Sequence, residues 1–197
     1  MKTARVYRQE ARARATQETG ERILDAAVAL FWERPTGQIA LDEVAGRAGV
    51  SVQTVLRRFG SKDGLFAAAA ARESERVQQH RATAPVGDLG PAVTVLVEHY
   101  EQVGTGVLRL LAEEQRSPEL SAVAEQGRQV HLDWCRQVFA PALTTRRGSA
   151  RSRLLAQLVA VCDVHTWHLL RQQGGLSRAE TERALVELLA PLVQEET

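Results

Sequence analysis

The chain has 197 residues, 44% of them hydrophobic and 25% charged, with a formal net charge of +1. That is the balance of a folded protein with room for one sizeable core or two small ones, and its charge argues neither for nor against nucleic acid. Two cysteines, Cys135 and Cys162, exclude a disulfide framework, and no apolar run reaches the roughly 18 residues that span a bilayer.

The N-terminus is polar and carries no signal-peptide pattern, so a reduced cytoplasmic setting is expected. In the first fourteen residues Lys2, Arg5, Arg8, Arg12 and Arg14 stand against Glu10 alone, a basic arm of the kind that touches phosphate. Aromatics are only 5% of the chain and β-branched alternation is scarce, which makes the expected fold all-α.

Ile23, Ala26, Ala27, Leu30 and Phe31 recur at helical spacing and form one apolar face, with Thr19 as the expected cap and Pro35 and Gly37 as the stop. A short second helix is predicted over 41–48, stopped at Gly49. Ser51 caps a third that runs to about Arg58 and closes at Gly60. Ser61 caps a fourth, from Lys62 to about Ala82, with Asp63 in its first turn against the helix dipole. Pro85 and Gly87 then break the pattern.

Pro91 opens a helix to about Val103, Gly104 and Gly106 mark a kink or join, and 107–115 form the next piece. Ser117-Pro118-Glu119 starts a helix to about Phe139. A polar loop at Arg146–Gly148 precedes a helix predicted over 151–173, ended by Gly174-Gly175. Ser177 and Glu180 have capping-box spacing and open the last helix, which carries Leu185, Leu188, Leu189 and Leu192 on one face. The count is about nine helices.

Residues 41–59 carry a helix-turn-helix pattern. Val44 and Ala48 are apolar, Ala45 is small where two helices cross, Gly49 suits a turn of positive φ, and Val50 and Val55 pack the second helix back. That second helix is then free to place its N-terminal residues at base edges.

On Ile23-Leu24-Asp25-Ala26-Ala27, Leu41-Asp42-Glu43-Val44-Ala45, Gly49-Val50-Ser51, Thr54, Phe59, Ser61-Lys62 and Leu65-Phe66, the sequence resembles the TetR family of transcriptional regulators, over roughly residues 15–70. The resemblance implies a three-helix DNA-binding domain with its basic arm over 1–60, and a larger effector-binding and dimerisation domain over 61–197. It also implies a homodimer on a double-stranded DNA operator. It assigns Val52, Gln53 and Leu56 to bases, Thr54, Arg58 and Lys62 to backbone, and Arg57 to either. Thr19 and Ser51 complete the expected DNA-facing set. The chemistry agrees: Gln bonds adenine, Arg bonds guanine, Val or Leu meets a thymine methyl, and Thr and Lys suit phosphate. Two positions depart from the family pattern. Leu56 stands where an aromatic is usual, and Ala40 where a Thr or Ser usually caps the second helix.

The predicted 151–173 helix is apolar nearly all round, and with the last helix's leucine stripe this suggests an isologous interface through Val159, Val164, Trp167, Leu170, Leu185, Leu188 and Leu192. The candidate effector pocket draws on His99, Tyr100, Val103, Leu111, His131, Trp134, Cys135, Val138, Cys162 and His165, polar-aromatic content that suits a small amphipathic ligand. His131/Cys135 at i, i+4 and Cys162/His165 at i, i+3 also raise an alternative, a metal or redox sensor.

No Gly-rich phosphate loop, nucleophile elbow or metalloprotease helix is present, so no catalytic residue and no cofactor are expected. The expected function is a ligand-responsive repressor that binds a near-palindromic operator as a homodimer and is released by a small molecule. A helical dimeric adaptor that binds no DNA is the remaining alternative.

Overall fold

The computed structural model describes residues 2–194; the side chains at 2–6 and 8–10 lie outside that description. Its helices are α1 (Lys2–Glu33), α2 (Leu41–Ala48), α3 (Val52–Phe59), α4 (Lys62–Arg81), α5 (Leu89–Glu113), α6 (Pro118–Val138), α7 (Ala140–Thr144), α8 (Gly148–Val161), α9 (Val164–His168) and α10 (Arg178–Val193), and the described residues hold no strand. The described residues form two compact units. One runs to Glu73 and includes Gln115–Val123; the other comprises Ser74–Glu114 and the residues from Ala124 onward. The expected division at 60/61 therefore differs from the compact units, because Leu65, Phe66 and Ala69 of α4 are buried with the N-terminal core.

The N-terminal unit is built on the predicted face of α1. Ile23, Ala27 and Leu30 are fully buried, with Val44 of α2, Val55 of α3 and Leu65 of α4. The short helices end and begin where their sequence signals stand. Gly49 adopts φ 67° after α2, and Gly60 adopts φ 77° after α3. A side chain at either position would be strained. Ser51 accepts from the Thr54 N–H at 3.2 Å, and Ser61 accepts from the Gly64 N–H at 2.9 Å. Helix α1, however, begins far before Thr19. The preceding Ala, Arg, Glu and Gln residues are strong helix formers. Thr19 caps nothing: its hydroxyl donates to the Ala15 carbonyl one turn back, at 2.8 Å. Of the basic arm, Arg12 and Arg14 are exposed on α1, and Lys2, Arg5 and Arg8 lie among the undescribed side chains.

The second unit has its own core. Trp134, Cys135 and Val138 of α6, Leu96, Val97 and Tyr100 of α5, Leu154 and Leu158 of α8, Trp167 of α9, and Leu185 and Leu189 of α10 are buried together. Gly104 and Gly106 do not divide α5. Gly104 is a close-approach point: a Cβ there would lie 2.6 Å from the Trp167 ring. Gly104→Val is accordingly expected to cost about 1–3 kcal/mol by overpacking, read as a lower urea midpoint at unchanged slope. The predicted 151–173 helix is also interrupted. Cys162 ends α8, and the Asp163 carboxylate accepts the His165 N–H at 2.9 Å to start α9, which continues as a π-helical turn over Leu169–Gln173. The capping box at Ser177 and Glu180 forms as the spacing predicts.

Candidate nucleic-acid interface and buried polar cluster

Helix α3 has one fully buried residue, Val55, which faces the N-terminal core. Gln53, Leu56, Arg57 and Arg58 are exposed, and Val52 and Thr54 are half-buried. Leu56 is 40% exposed. Gln53, Leu56 and Arg57 fall at i, i+3 and i+4, so one helix face presents an amide, an apolar side chain and a guanidinium together. That trio matches the chemistry of base edges: bidentate donors and acceptors flanking a methyl contact.

The surrounding side chains set the position of this helix. Arg22 of α1 donates to the Ala48 carbonyl at the end of α2, at 3.2 Å. Arg47 pairs with Glu33 at 2.7 and 2.9 Å, and Arg34 pairs with Glu43. Arg58, expected on the DNA backbone, is exposed and also reaches back to α1. Its Nη1 donates to the Thr16 carbonyl at 2.9 Å, and the guanidinium lies so close over Gly20 that a Cβ there would clash with it. Arg58 therefore ties α1 to α3, and Arg57 is exposed beside it. Ser51 is spent mainly on its cap and on the Thr54 hydroxyl at 3.0 Å, and Thr19 lies near Arg22. Lys62 is half-buried at the start of α4.

Ala40 leaves the start of α2 half-capped. Glu43 reaches back to the Ala40 N–H at 3.0 Å, but alanine offers no oxygen to the orphan N–H groups of the first turn. Ala40→Thr is expected to complete the box, raising stability by about 1 kcal/mol. A thermal melt of the variant without DNA checks it; an unchanged midpoint would mean the Glu43 half is sufficient.

In the second unit the expected pocket residues gather around a residue that carries no signal in the sequence. Arg81, at the end of α4, is 4% exposed. It donates to His131 Nδ1 at 3.2 Å and to the Tyr100 hydroxyl at 3.4 Å, and lies over the rings of Trp134 and Tyr100, 4.7 and 5.5 Å from their centres. Trp134 Nε1 donates to the Arg81 carbonyl at 3.0 Å, and the Tyr100 hydroxyl donates to the Cys162 carbonyl at 2.9 Å. Because Arg81 can only donate, His131 Nδ1 is the bare nitrogen, and Nε2–H donates to the Val159 carbonyl at 3.1 Å. By sequence, Arg81 is indistinguishable from a surface arginine on the last turn of a helix.

The two thiols face one another. Cys162's S–H, with help from His131 and Arg81, pulls the Cys135 thiol down to about 5, and the same bond together with burial pushes Cys162 up. Burial drives His99 down to about 2, with Arg81 adding its repulsion, and raises the Tyr100 phenol well above its usual range. Val103 and Leu111 are half-buried, and Val138 lines a separate apolar cavity of about 90 Å³ with Gly87, Leu89, Phe139, Ala142 and Val193.

The metal alternative does not assemble. His165 is exposed and hydrogen-bonded through Nδ1 to Asp163 at 2.7 Å, and both nitrogens of His131 are committed. Among the described residues no group of three or more His, Cys, Asp or Glu could hold a metal ion. Of the expected interface residues, Val164, Trp167 and Leu185 are buried in the unit's own core; for Val164 and Trp167 the break at Asp163 turns α9 inward. Val159, Leu170 and Leu192 are half-buried, and Leu188 is 48% exposed beside Leu169 at 55%. No helix among the described residues is long and apolar enough to cross a membrane.

Residues 23–69, the stretch that builds this exposed helix, match the model of the bacterial regulatory proteins of the tetR family. Over these residues the chain is similar to the tetR family. An HTH-type transcriptional regulator of Mycobacterium tuberculosis is 36% identical over 85 residues, 43% of this chain and 42% of the relative, so the match spans less than half of either protein. Among solved structures, a transcriptional regulator from Rhodococcus sp. RHA1 superposes with a TM-score of 0.71 at 20% identity, covering 89% of this chain and 96% of that one. A regulator from Saccharomonospora viridis in complex with choline gives 0.67 at 18%, covering 88% and 96%. At these identities the structures speak to the fold: the all-α architecture extends across the second unit as well as the tetR-family domain. Regulators of the tetR family are DNA-binding transcription factors and not enzymes.

Proposed function

We propose that this chain is a ligand-responsive transcriptional repressor. It acts in the cytoplasm as a homodimer on a near-palindromic operator, and a small molecule held in the second unit releases it. The observation that carries the reading is the exposed Gln53–Leu56–Arg57 face on a helix anchored by Val55 and Arg58. The similarity of residues 23–69 to the tetR family supports the DNA-binding part. The apolar side chains left outside the second core, Leu169 and Leu188, support pairing of two copies. Two recognition helices then meet half-sites about 34 Å apart. The effector acts only through its differential affinity for the DNA-competent and released states. In this reading Gln53 takes adenine, Arg57 guanine or phosphate, and Leu56 a thymine methyl.

A gel shift with the DNA upstream of the chain's own gene tests it. Saturable binding that weakens steeply with salt is expected. Gln53→Ala should cost about 1–3 kcal/mol and relax the sequence preference, whereas Arg57→Ala, where the guanidinium holds a phosphate, should lower the salt slope by about 1. Binding that is indifferent to both substitutions would place the interface elsewhere.

A further inference from the structure

We propose that Arg81 is the anchor for an anionic effector, a small molecule with a carboxylate on an apolar body, bound at the centre of the second unit. This rests on the reading of that unit as the effector-binding part of a regulator, and it names the effector's chemical class.

No carboxylate among the described residues balances the charge on Arg81. A guanidinium is always protonated, and taking one out of water is costly unless an anion and a full set of acceptors receive it. Arg81 is 4% exposed, yet among the described residues no carboxylate pairs with it. Arg72 shows the contrast. Its side chain is 14% exposed, and it faces Glu21, Asp25 and Glu73. Arg81 has only two neutral acceptors, His131 Nδ1 at 3.2 Å and the Tyr100 oxygen at 3.4 Å. A guanidinium has five N–H donors; two are used here and three are left, among them the buried Nε with no partner. Trp134 and Tyr100 hold the cation against their ring faces, a fit for a planar cation that leaves its N–H edge as the place for an acceptor. A carboxylate supplies what is missing. Its two oxygens match the guanidinium fork, and it brings the opposite charge. The apolar side chains buried in the same unit's core, Leu96, Val97 and Trp134 among them, suit an apolar body and give a strongly hydrated inorganic anion nothing to bury.

The acids within the cluster indicate what balances Arg81 when no ligand is bound. Tyr100 is kept neutral by burial, so the group able to ionise is Cys135, which receives the S–H of Cys162 and lies 3.9 Å from His131 Nε2. A carboxylate arriving at Arg81 competes with that thiolate, which then takes up a proton from solvent. Ligand binding therefore carries a spectroscopic signature, the loss of ultraviolet thiolate absorbance.

The experiment uses the purified full chain and a panel of monocarboxylates, linear from acetate to dodecanoate and aromatic from benzoate to phenylbutyrate. The corresponding alcohols serve as neutral controls and choline as a cationic one. Thermal midpoint, tryptophan fluorescence and thiolate absorbance are read together, alongside the gel shift on upstream DNA. At least one carboxylate should raise the midpoint, lower the thiolate signal and weaken the DNA complex, and its alcohol should do so at least ~10-fold less well, the cost of losing a charge-assisted bond. Arg81→Gln should abolish the preference for acid over alcohol. Arg81→Met, which removes both the charge and the donors, should bind no carboxylate. A marked loss of stability in Arg81→Met together with unchanged carboxylate binding in Arg81→Gln would make the arginine purely structural and overturn the proposal. A panel in which no carboxylate acts overturns it as well. If choline or an alcohol then releases the DNA, the regulator reading survives without an anionic effector; if no small molecule changes DNA binding, both fall.

Discussion

Trp167→Ala is expected to lower the stability of the second unit by about 3–5 kcal/mol, the largest single effect among the core positions. The side chain is 2% exposed, and its ring lies 5.8 Å from that of Tyr100 and against the bare Cα of Gly104. Its Nε1 donates to Glu101 at 3.1 Å, the same oxygen that receives Arg171 at 3.0 Å. Truncation leaves a cavity that the rigid α5 backbone cannot fill, because the glycine opposite has no side chain to move in. It also takes one donor from Glu101. A urea titration followed by far-ultraviolet circular dichroism reads the loss, and avoids the bias of removing one of the chain's three tryptophans from a fluorescence signal. Trp167→Phe keeps most of the volume and should recover more than half of the loss. Equal losses for both variants would mean that the indole N–H, and not the packing, carries the contribution. The double variant Gly104→Ala/Trp167→Ala should be non-additive, since the added methyl enters the space that the ring vacates.

The limits of α2 and α3 are legible in the sequence because Gly49, Ser51 and Gly60 each act within one turn, through a positive φ or a hydroxyl cap. The exposed face of α3 is legible for the same reason: with Val55 turned inward, spacing alone places Gln53, Leu56 and Arg57 outside. What the sequence hides depends on partners distant along the chain. Thr19 has the chemistry of a cap, but residues good at continuing a helix precede it, and α1 runs through it. Gly104 has the chemistry of a break, but Trp167, 63 residues later, makes it a place of contact. Asp163 interrupts an apolar period that reads as continuous, and the interruption turns Val164 and Trp167 from an expected interface into the core. Six of the expected pocket residues, His99, Tyr100, His131, Trp134, Cys135 and Cys162, surround or adjoin Arg81. His165 does not, because its ring is held outside by Asp163. Arg58 and Arg57 look equivalent in sequence and part only because Gly20 leaves room for one of them on α1.

Acidification is expected to destabilise the second unit through His99 well before its exposed carboxylates are protonated. The ring is 5% exposed, its centre lies 4.8 Å from that of Tyr100, and it faces the Arg81 guanidinium and the side chains of His80 and His131, which repel a proton on it when they are charged. Burial first, and those groups second, depress its folded-state value to about 2 from an ordinary 6.5. The sign follows from proton uptake. Below pH 6.5 the unfolded chain binds a proton that the folded chain refuses, so stability is fully present above 6.5 and is lost as pH falls toward the folded value. Each pH unit within that window costs about 1.4 kcal/mol, hence about 2 kcal/mol at pH 5 and about 3 kcal/mol at pH 4. The Cys135 thiol acts in a different window. Its contribution is complete above the ordinary thiol range and declines as pH falls toward about 5, so part of its effect is already spent where that of His99 begins. The two are separated by difference. His99→Leu, compared with wild type in urea titrations from pH 8 to pH 4, should show a gap that favours wild type or is small at pH 8, and that shifts in favour of the variant by about 2 kcal/mol at pH 5. Cys135→Ser should flatten the curve between pH 8 and pH 6 instead. Parallel curves for wild type and His99→Leu would show that the imidazole takes its proton inside the folded unit at ordinary pH, and would require the ring to reach water that the packing around Tyr100 and Arg81 denies it.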